Sequence, residues 1–298
     1  MSCSDKKTIK KAIIPIAGNG TRMFPETFFI KKALLPVPDS KGTVKPALLY
    51  MLEELSDCGI EDIYLIVAEG EPEEYERLFM FEPDTSFEDR LPENVRHYYR
   101  TIHELGRKIH FVVQKEKRGF GHAVYQARRF LDREPAVLLL GDFLYKSNNG
   151  VSCTRQTMDA FEISGGRSTV GIRSIDVADC AHYGILHGVF ADADGKILDA
   201  DLMVEKPGEE YARKNLLVEG KCYATFGSYV LTDEIFRHVG KTIEEKEKCG
   251  DRTETDLTGA FAAEAARGGL VGAVIDGESF DVGIPEMYMK TFREFGRG

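Results

Sequence analysis

No apolar run in this 298-residue chain approaches the roughly 20 residues that a bilayer-spanning helix needs. Residues 1–11 are polar and lysine-rich and lead into no apolar core of secretory-signal length. Neither a membrane nor an export signal is therefore expected. Paired cysteines are lacking too. Cys3, Cys58, Cys153, Cys180, Cys222 and Cys249 include no C-x-x-C, so they resemble neither a zinc site nor a compact disulfide framework. A reducing, cytoplasmic setting is expected. Positive charge is in deficit as well: 39 Lys and Arg against 49 Asp and Glu give a net charge of -10, which argues against binding a nucleic acid polymer through its phosphates. There is no internal repeat, low-complexity tract or linker, and 43% hydrophobic with 30% charged residues describes a globular chain. One domain over residues 1–298 is expected.

What is present begins with an apolar run, residues 12–17, that breaks into Gly18-Asn19-Gly20-Thr21-Arg22, with Lys31-Lys32 shortly after. Glycine tolerates positive φ and carries no Cβ, so the backbone can come close to a ligand there. Exposed N–H groups make an anion-binding concavity, to which Arg22 and Lys32 add full positive charge. A tight turn with solvated basic residues is the bland alternative. A dinucleotide fingerprint is excluded because Met23 stands at its third glycine and Pro25 follows. No G-x-x-x-x-G-K-[ST] string occurs either.

Strand-like and helix-like segments alternate through the first half, which predicts a parallel sheet with helices on its faces. Strands are expected at 11–17, 63–68, 109–114 and 136–140, with helices at 46–58 and 121–131. Residues 70–108 are charged and aromatic; they predict two helices joined around Pro83 and Pro92, as an insertion. Later strands are expected at 169–175, 184–190, 198–205, 222–231 and 270–275. Helices are expected at 233–239, 256–266 and 285–295, the last opening with proline. The fold class is α/β: a Rossmann-like mixed, mostly parallel sheet flanked by helices, with a smaller substrate-side β region. Residues 11–150 would form one half and 151–298 a second, closing half.

Asp142 follows a buried strand, and ligands of open α/β sheets gather at such carboxyl ends. A turn former or helix cap is the ordinary alternative. Asp281 in Phe280-Asp281-Val282-Gly283 offers a second carboxylate, and two carboxylates without histidines suit Mg²⁺ better than zinc. Glu205 and Lys206 put opposite charges side by side before Pro207; both can reach one ligand only if a strand ends there. Tyr183-Gly184 would present a backbone N–H to a sugar, although most Tyr-Gly pairs are merely turns.

Taken in order, the segments from Ala17 to Pro25, Lys32, Pro36, Lys45-Pro46, Gly119-Phe120-Gly121-His122-Ala123-Val124, Gly141-Asp142, Tyr183-Gly184, Val204-Glu205-Lys206-Pro207 and Asp281-Val282-Gly283 resemble the sugar-1-phosphate nucleotidylyltransferases. Among them the sequence is most similar to the bacterial enzymes that join UTP and glucose 1-phosphate. The resemblance runs from Lys11 to about Gly296 and makes residues 11–150 the expected nucleotide-binding half and 151–298 the expected sugar-binding half. It implies that Ala17, Gly18, Gly20 and Thr21 hold the nucleotide, that Gln114 reads the pyrimidine edge, and that Gly119 and Gly121 form the nucleoside turn. Arg22, Lys32 and Lys206 would be catalytic; Tyr183, Gly184 and Glu205 would hold the sugar. Asp142 and Asp281 would hold Mg²⁺. A homodimer or homotetramer is also implied.

The family usually places proline where Lys31 stands, so the catalytic lysine could be displaced by one position. Residues 39–44 resemble an insertion, and Gly259 stands where an acid is common. A thymidylyl- or cytidylyltransferase, a silent nucleotide-sugar sensor, and more remotely an NAD-dependent oxidoreductase are the competing readings.

Overall fold

The computed structural model describes residues 8–297; Cys3 and the first seven residues of the lysine-rich N-terminus lie outside them. Its strands are β1 (Lys11–Pro15), β2 (Pro36–Pro38), β3 (Val44–Pro46), β4 (Asp62–Ala68), β5 (Ile109–Gln114), β6 (Ala136–Leu139), β7 (Phe143–Ser147), β8 (Ser168–Ile175), β9 (Gly184–Phe190), β10 (Ile197–Glu205), β11 (Cys222–Leu231), β12 (Leu270–Val274) and β13 (Gly277–Asp281). Nine of them form one sheet in the order β5-β4-β1-β6-β11-β8-β12-β10-β9. Strands β5, β4, β1 and β6 are mutually parallel. Beyond β6 the sheet is antiparallel except at β8 and β12. The expected parallel character thus belongs to the N-terminal half, and the sheet as a whole is more mixed than expected.

Alternation along buried strands accounts for the continuous apolar runs. Ala12 and Ile14 of β1, with Val137 and Leu139 of β6, enter one layer with Leu48, Leu52 and Leu55 of helix Ala47–Asp57. Ile13, Ala136 and Leu138 enter the opposite layer with Ile235, Phe236 and Val239 of helix Asp233–Lys248. Each fully buried Ile or Leu contributes about 1.5–3 kcal/mol. Two-sided burial keeps the carboxyl ends of β1 and β6 in fixed register.

Several expectations need correction. Residues 70–108 carry three helices, Pro72–Phe79, Thr85–Glu88 and Glu93–Gly106. The middle one is capped by Asp84, whose side chain accepts from the Ser86 N–H. Tyr75, Phe79 and Leu105 join the core. The helix expected at 121–131 stops at Tyr125, where i→i+3 bonds tighten the chain into a 3-10 turn, Arg128–Phe130. The helix starting at Asp233 runs on to Lys248 because its apolar face continues through Gly240 and Ile243. Residues 39–44 cap the β2–β3 hairpin, with Asp39 Oδ1 accepting from Lys41 and Thr43 N–H.

Candidate active site

The glycine turn leaves β1 at its carboxyl end. Gly20 has φ 61°, and a Cβ there would lie 2.8 Å from Thr27 Cγ2. Glycine is required twice over, by conformation and by space. Thr27 Oγ1 donates to the Gly20 carbonyl at 2.9 Å and fixes the turn. The 3-10 turn Thr21–Met23 follows, anchored by buried Met23, with Thr21 and Arg22 exposed.

The two lysines separate cleanly. Lys32 Nζ donates to Asp142 Oδ2 at 2.7 Å. Lys31 Nζ turns to Glu71 Oε1, also at 2.7 Å, and Glu71 Oε2 accepts from the Ala68 N–H at the end of β4. Lys31 therefore braces the carboxyl end of β4, and Lys32 is the lysine that enters the cleft.

Asp142 and Asp281 meet because of strand pairing. β13 runs antiparallel to β7 with Asp281 opposite Phe143, and the Val282 N–H donates to the Asp142 carbonyl at 2.8 Å. A Cβ added to Gly283 would lie 2.6 Å from Asp142 Oδ2 and 2.9 Å from Asp281 Oδ1. Only a glycine leaves room for both carboxylates. Burial pushes the Asp281 carboxyl above its ordinary pKa, and the Asp142 charge adds to this; the Gly283 N–H, Lys32 and Arg22 oppose it. Among the described residues no three His, Cys, Asp or Glu side chains cluster into a closed metal centre. Two carboxylates leave the remaining positions of an octahedral ion to water and ligand oxygens, which fits Mg²⁺.

The other end of the cleft is built by the turn behind β5. Gly119 has φ 96°, and a Cβ there would meet the Thr255 carbonyl at 2.7 Å. The Gly121 N–H donates to the Thr255 carbonyl and the Thr255 N–H to the Arg118 carbonyl, each at 2.8 Å. Gln114, almost fully buried, lies beneath. A cleft of about 540 Å³ is lined by Ala17, Gly18, Thr21, Arg22, Lys32, Gln114, Gly119 and Asp142. Asn19, Lys117, Phe120 and Glu254 line it too; Asn19 and Phe120 stand inside the motifs read from sequence without a role of their own, and Lys117 and Glu254 were not assigned one. Lys117 Nζ bonds Asn19 Oδ1 across its mouth.

The remaining four candidates gather at the end of β10. Gly184 pairs with Glu205 in the β9–β10 register, and a Cβ on Gly184 would lie 3.0 Å from Glu205 Oε2. Strand β10 stops at Glu205; Lys206 turns with φ 47° and donates its N–H to the Tyr183 carbonyl at 3.0 Å. Its Nζ stands 3.6 Å from Glu205 Oε1. The Tyr183 hydroxyl accepts from Arg173 at 3.2 Å. Thr258 Oγ1 donates to Glu205 Oε2 at 3.2 Å, so residues 254–258 run from Glu254 in the cleft to the Glu205 group. Thr258 was not singled out from sequence, where only its neighbour Gly259 was marked as a departure from the family.

The profile of the nucleotidyl transferase family matches residues 11–296, and the chain belongs to that family. The chain is 34% identical over 295 residues to UTP–glucose-1-phosphate uridylyltransferase 2 of Staphylococcus saprophyticus, covering 97% of this chain and 92% of that protein. Among solved structures, an apo UDP-glucose pyrophosphorylase superposes with a TM-score of 0.81 at 26% identity, covering 96% of this chain and 98% of that one. A UDP-glucose pyrophosphorylase complexed with UDP-glucose gives 0.77, with the same identity and coverage.

Proposed function

We propose that this protein transfers a uridylyl group from UTP to glucose 1-phosphate, giving UDP-glucose and pyrophosphate. Family membership and the named relatives support the reaction. The observation that carries it is the convergence of Lys32, Asp142 and Asp281 at the edge of a cleft whose other end is the Gln114–Gly119 turn. No helix among the described residues is long and apolar enough to cross a membrane. The five described cysteines are all unpaired, which supports a reducing, cytoplasmic setting.

Under this reading the turn from Ala17 to Thr21 receives the nucleotide, Gln114 meets the pyrimidine edge, and Gly119 and Gly121 let the nucleoside lie against backbone. An oxygen of the sugar phosphate attacks the α-phosphorus in line, and pyrophosphate leaves. The nucleophile is already anionic, so no general base is required; the barrier lies in bringing anions together. Arg22 and Lys32 neutralise the leaving phosphates, and Lys206 neutralises the sugar phosphate. Glu205 accepts from sugar hydroxyls beside Tyr183 and Gly184. Asp142 and Asp281 would hold Mg²⁺, which screens phosphate charge when bound.

A homodimer or homotetramer belongs to the same proposal, supported by the exposed aromatic group Phe24, Phe28 and Phe29; light scattering in solution tests it. Pyrophosphate release across four nucleoside triphosphates and several sugar 1-phosphates tests the reaction. UTP with glucose 1-phosphate is expected to give the highest kcat/KM, and a different preferred pair would overturn the assignment.

A further inference from the structure

Gln114 ends β5 in the cleft, and its amide is not free to present either end. Gln114 Nε2 donates to the Gly119 carbonyl at 3.3 Å, a group that can only accept, and lies 3.1 Å from His122 Nδ1. A neutral imidazole carries one proton, so His122 cannot accept at both ring nitrogens. Gln126 Nε2 donates one proton to the His122 carbonyl at 3.1 Å and competes for the ring with its second, at the longer distance of 3.3 Å from His122 Nε2. The shorter ring contact, from Gln114, takes the Nδ1 lone pair and leaves the proton on Nε2. Both amide protons of Gln114 are then committed, and Oε1 is the atom left for the cleft.

We propose that His122 is a positioning residue for base selection: by accepting from Gln114, it makes the glutamine show the nucleobase an acceptor and nothing else. The inference rests on the uridylyl-transfer reading above. Uracil and thymine carry a proton on N3 that Oε1 can accept. Cytosine carries a lone pair there, which opposes Oε1 and leaves two buried acceptors facing each other. The contact thus rejects CTP but does not sense the methyl group that separates thymine from uracil.

The surroundings favour the neutral ring. Burial lowers the His122 pKa and the nearby Arg118 charge lowers it further, outweighing Glu116 and Glu247. In acid the sign reverses: a protonated Nδ1 donates, the Gln114 nitrogen is displaced, and the amide turns its N–H groups toward the base.

Pyrophosphate release with glucose 1-phosphate, measured for UTP, thymidine triphosphate and CTP, tests this. His122→Leu should lower the UTP-to-CTP ratio of kcat/KM by about tenfold or more, the effect of losing the partner that fixes a buried amide. The UTP-to-thymidine triphosphate ratio should stay put. His122→Asn, whose Oδ1 can replace Nδ1 as acceptor, should restore most of the loss. In the unaltered enzyme the UTP-to-CTP ratio should fall as pH drops through the range beneath the ordinary histidine pKa. An unchanged UTP-to-CTP ratio in His122→Leu overturns the role, as does an equal fall in both ratios. Should that variant fail to fold, a flat UTP-to-CTP ratio in acid for the unaltered enzyme overturns it. Absence of UTP turnover by the unaltered enzyme overturns the uridylyl reading first, and this inference with it.

Discussion

Lys32 and Asp142 are 110 residues apart in the chain and 2.7 Å apart in space, each about one-fifth exposed. A cation is thereby fixed beside the carboxylates rather than left to search from a solvated loop, and orientation of this kind is worth more in a partly desolvated cleft than in water.

Replacing that cation should be costly. Lys32→Ala is expected to lower kcat/KM by about 100-fold or more, roughly 2.7 kcal/mol. Lys31→Ala removes only a partly exposed brace to Glu71 and should change stability by less than about 1 kcal/mol. Pyrophosphate-release rates with parallel thermal melts separate the two; equal losses of activity would contradict the assignment of Lys32 over its neighbour.

The acid pair should show itself in metal dependence. Loss of groups that merely support a metal ligand costs about 10–100-fold in affinity, so Asp142→Asn or Asp281→Asn should raise the Mg²⁺ needed for half-maximal rate by at least about tenfold. Gly283→Ala should do likewise, since its Cβ would sit 2.6 Å from Asp142 Oδ2. Titrating Mg²⁺ against rate, with circular dichroism to confirm folding, decides the matter.

Thr258 should act on sugar binding through Glu205. A hydrogen bond to a charged group contributes a net of about 1.5–3 kcal/mol, less at a solvent-exposed contact, so Thr258→Val at this half-buried position should raise KM for the sugar phosphate about fivefold to tenfold with kcat little changed. Thr258→Ser keeps the hydroxyl and should behave as wild type. A KM effect confined to the nucleotide would point to backbone disturbance instead.

Thiol chemistry offers a check on packing. Burial pushes the Cys153 thiol up to about 12 and also raises Cys58, Cys180 and Cys222, whereas Cys249 is exposed. At pH 8 the thiolate is the reactive species. Maleimide should therefore modify Cys249 first among the described cysteines and Cys153 only after denaturation, as read by peptide mass spectrometry. Rapid labelling of Cys153 in the native protein would contradict the packing of helix Cys153–Ile163.

Much of the N-terminal half was legible because two-sided burial writes long apolar runs, as at Ala136–Leu139, and because the Gly20 turn has a backbone requirement that only glycine meets. What escaped was non-local. β7 and β13 are five residues each, and nothing local in Phe143–Ser147 says that it pairs with a segment more than a hundred residues away. The meeting of Asp142 with Asp281 rests on that pairing, which sequence could suggest only through the family resemblance. Helices Cys153–Ile163 and Glu209–Asn215 were missed, one for its mixed polar and β-branched composition and the other for its length. The choice between Lys31 and Lys32 needed Glu71, a residue with no motif to announce it.

Residues 254–258 touch the cleft proposed for the nucleotide with their first side chain and the Glu205 group with their last. Five consecutive residues thus act as a gauge block between two recognition ends. A change that widens one end must shift the other, so the preferences for nucleotide and for hexose would drift together during evolution rather than one at a time.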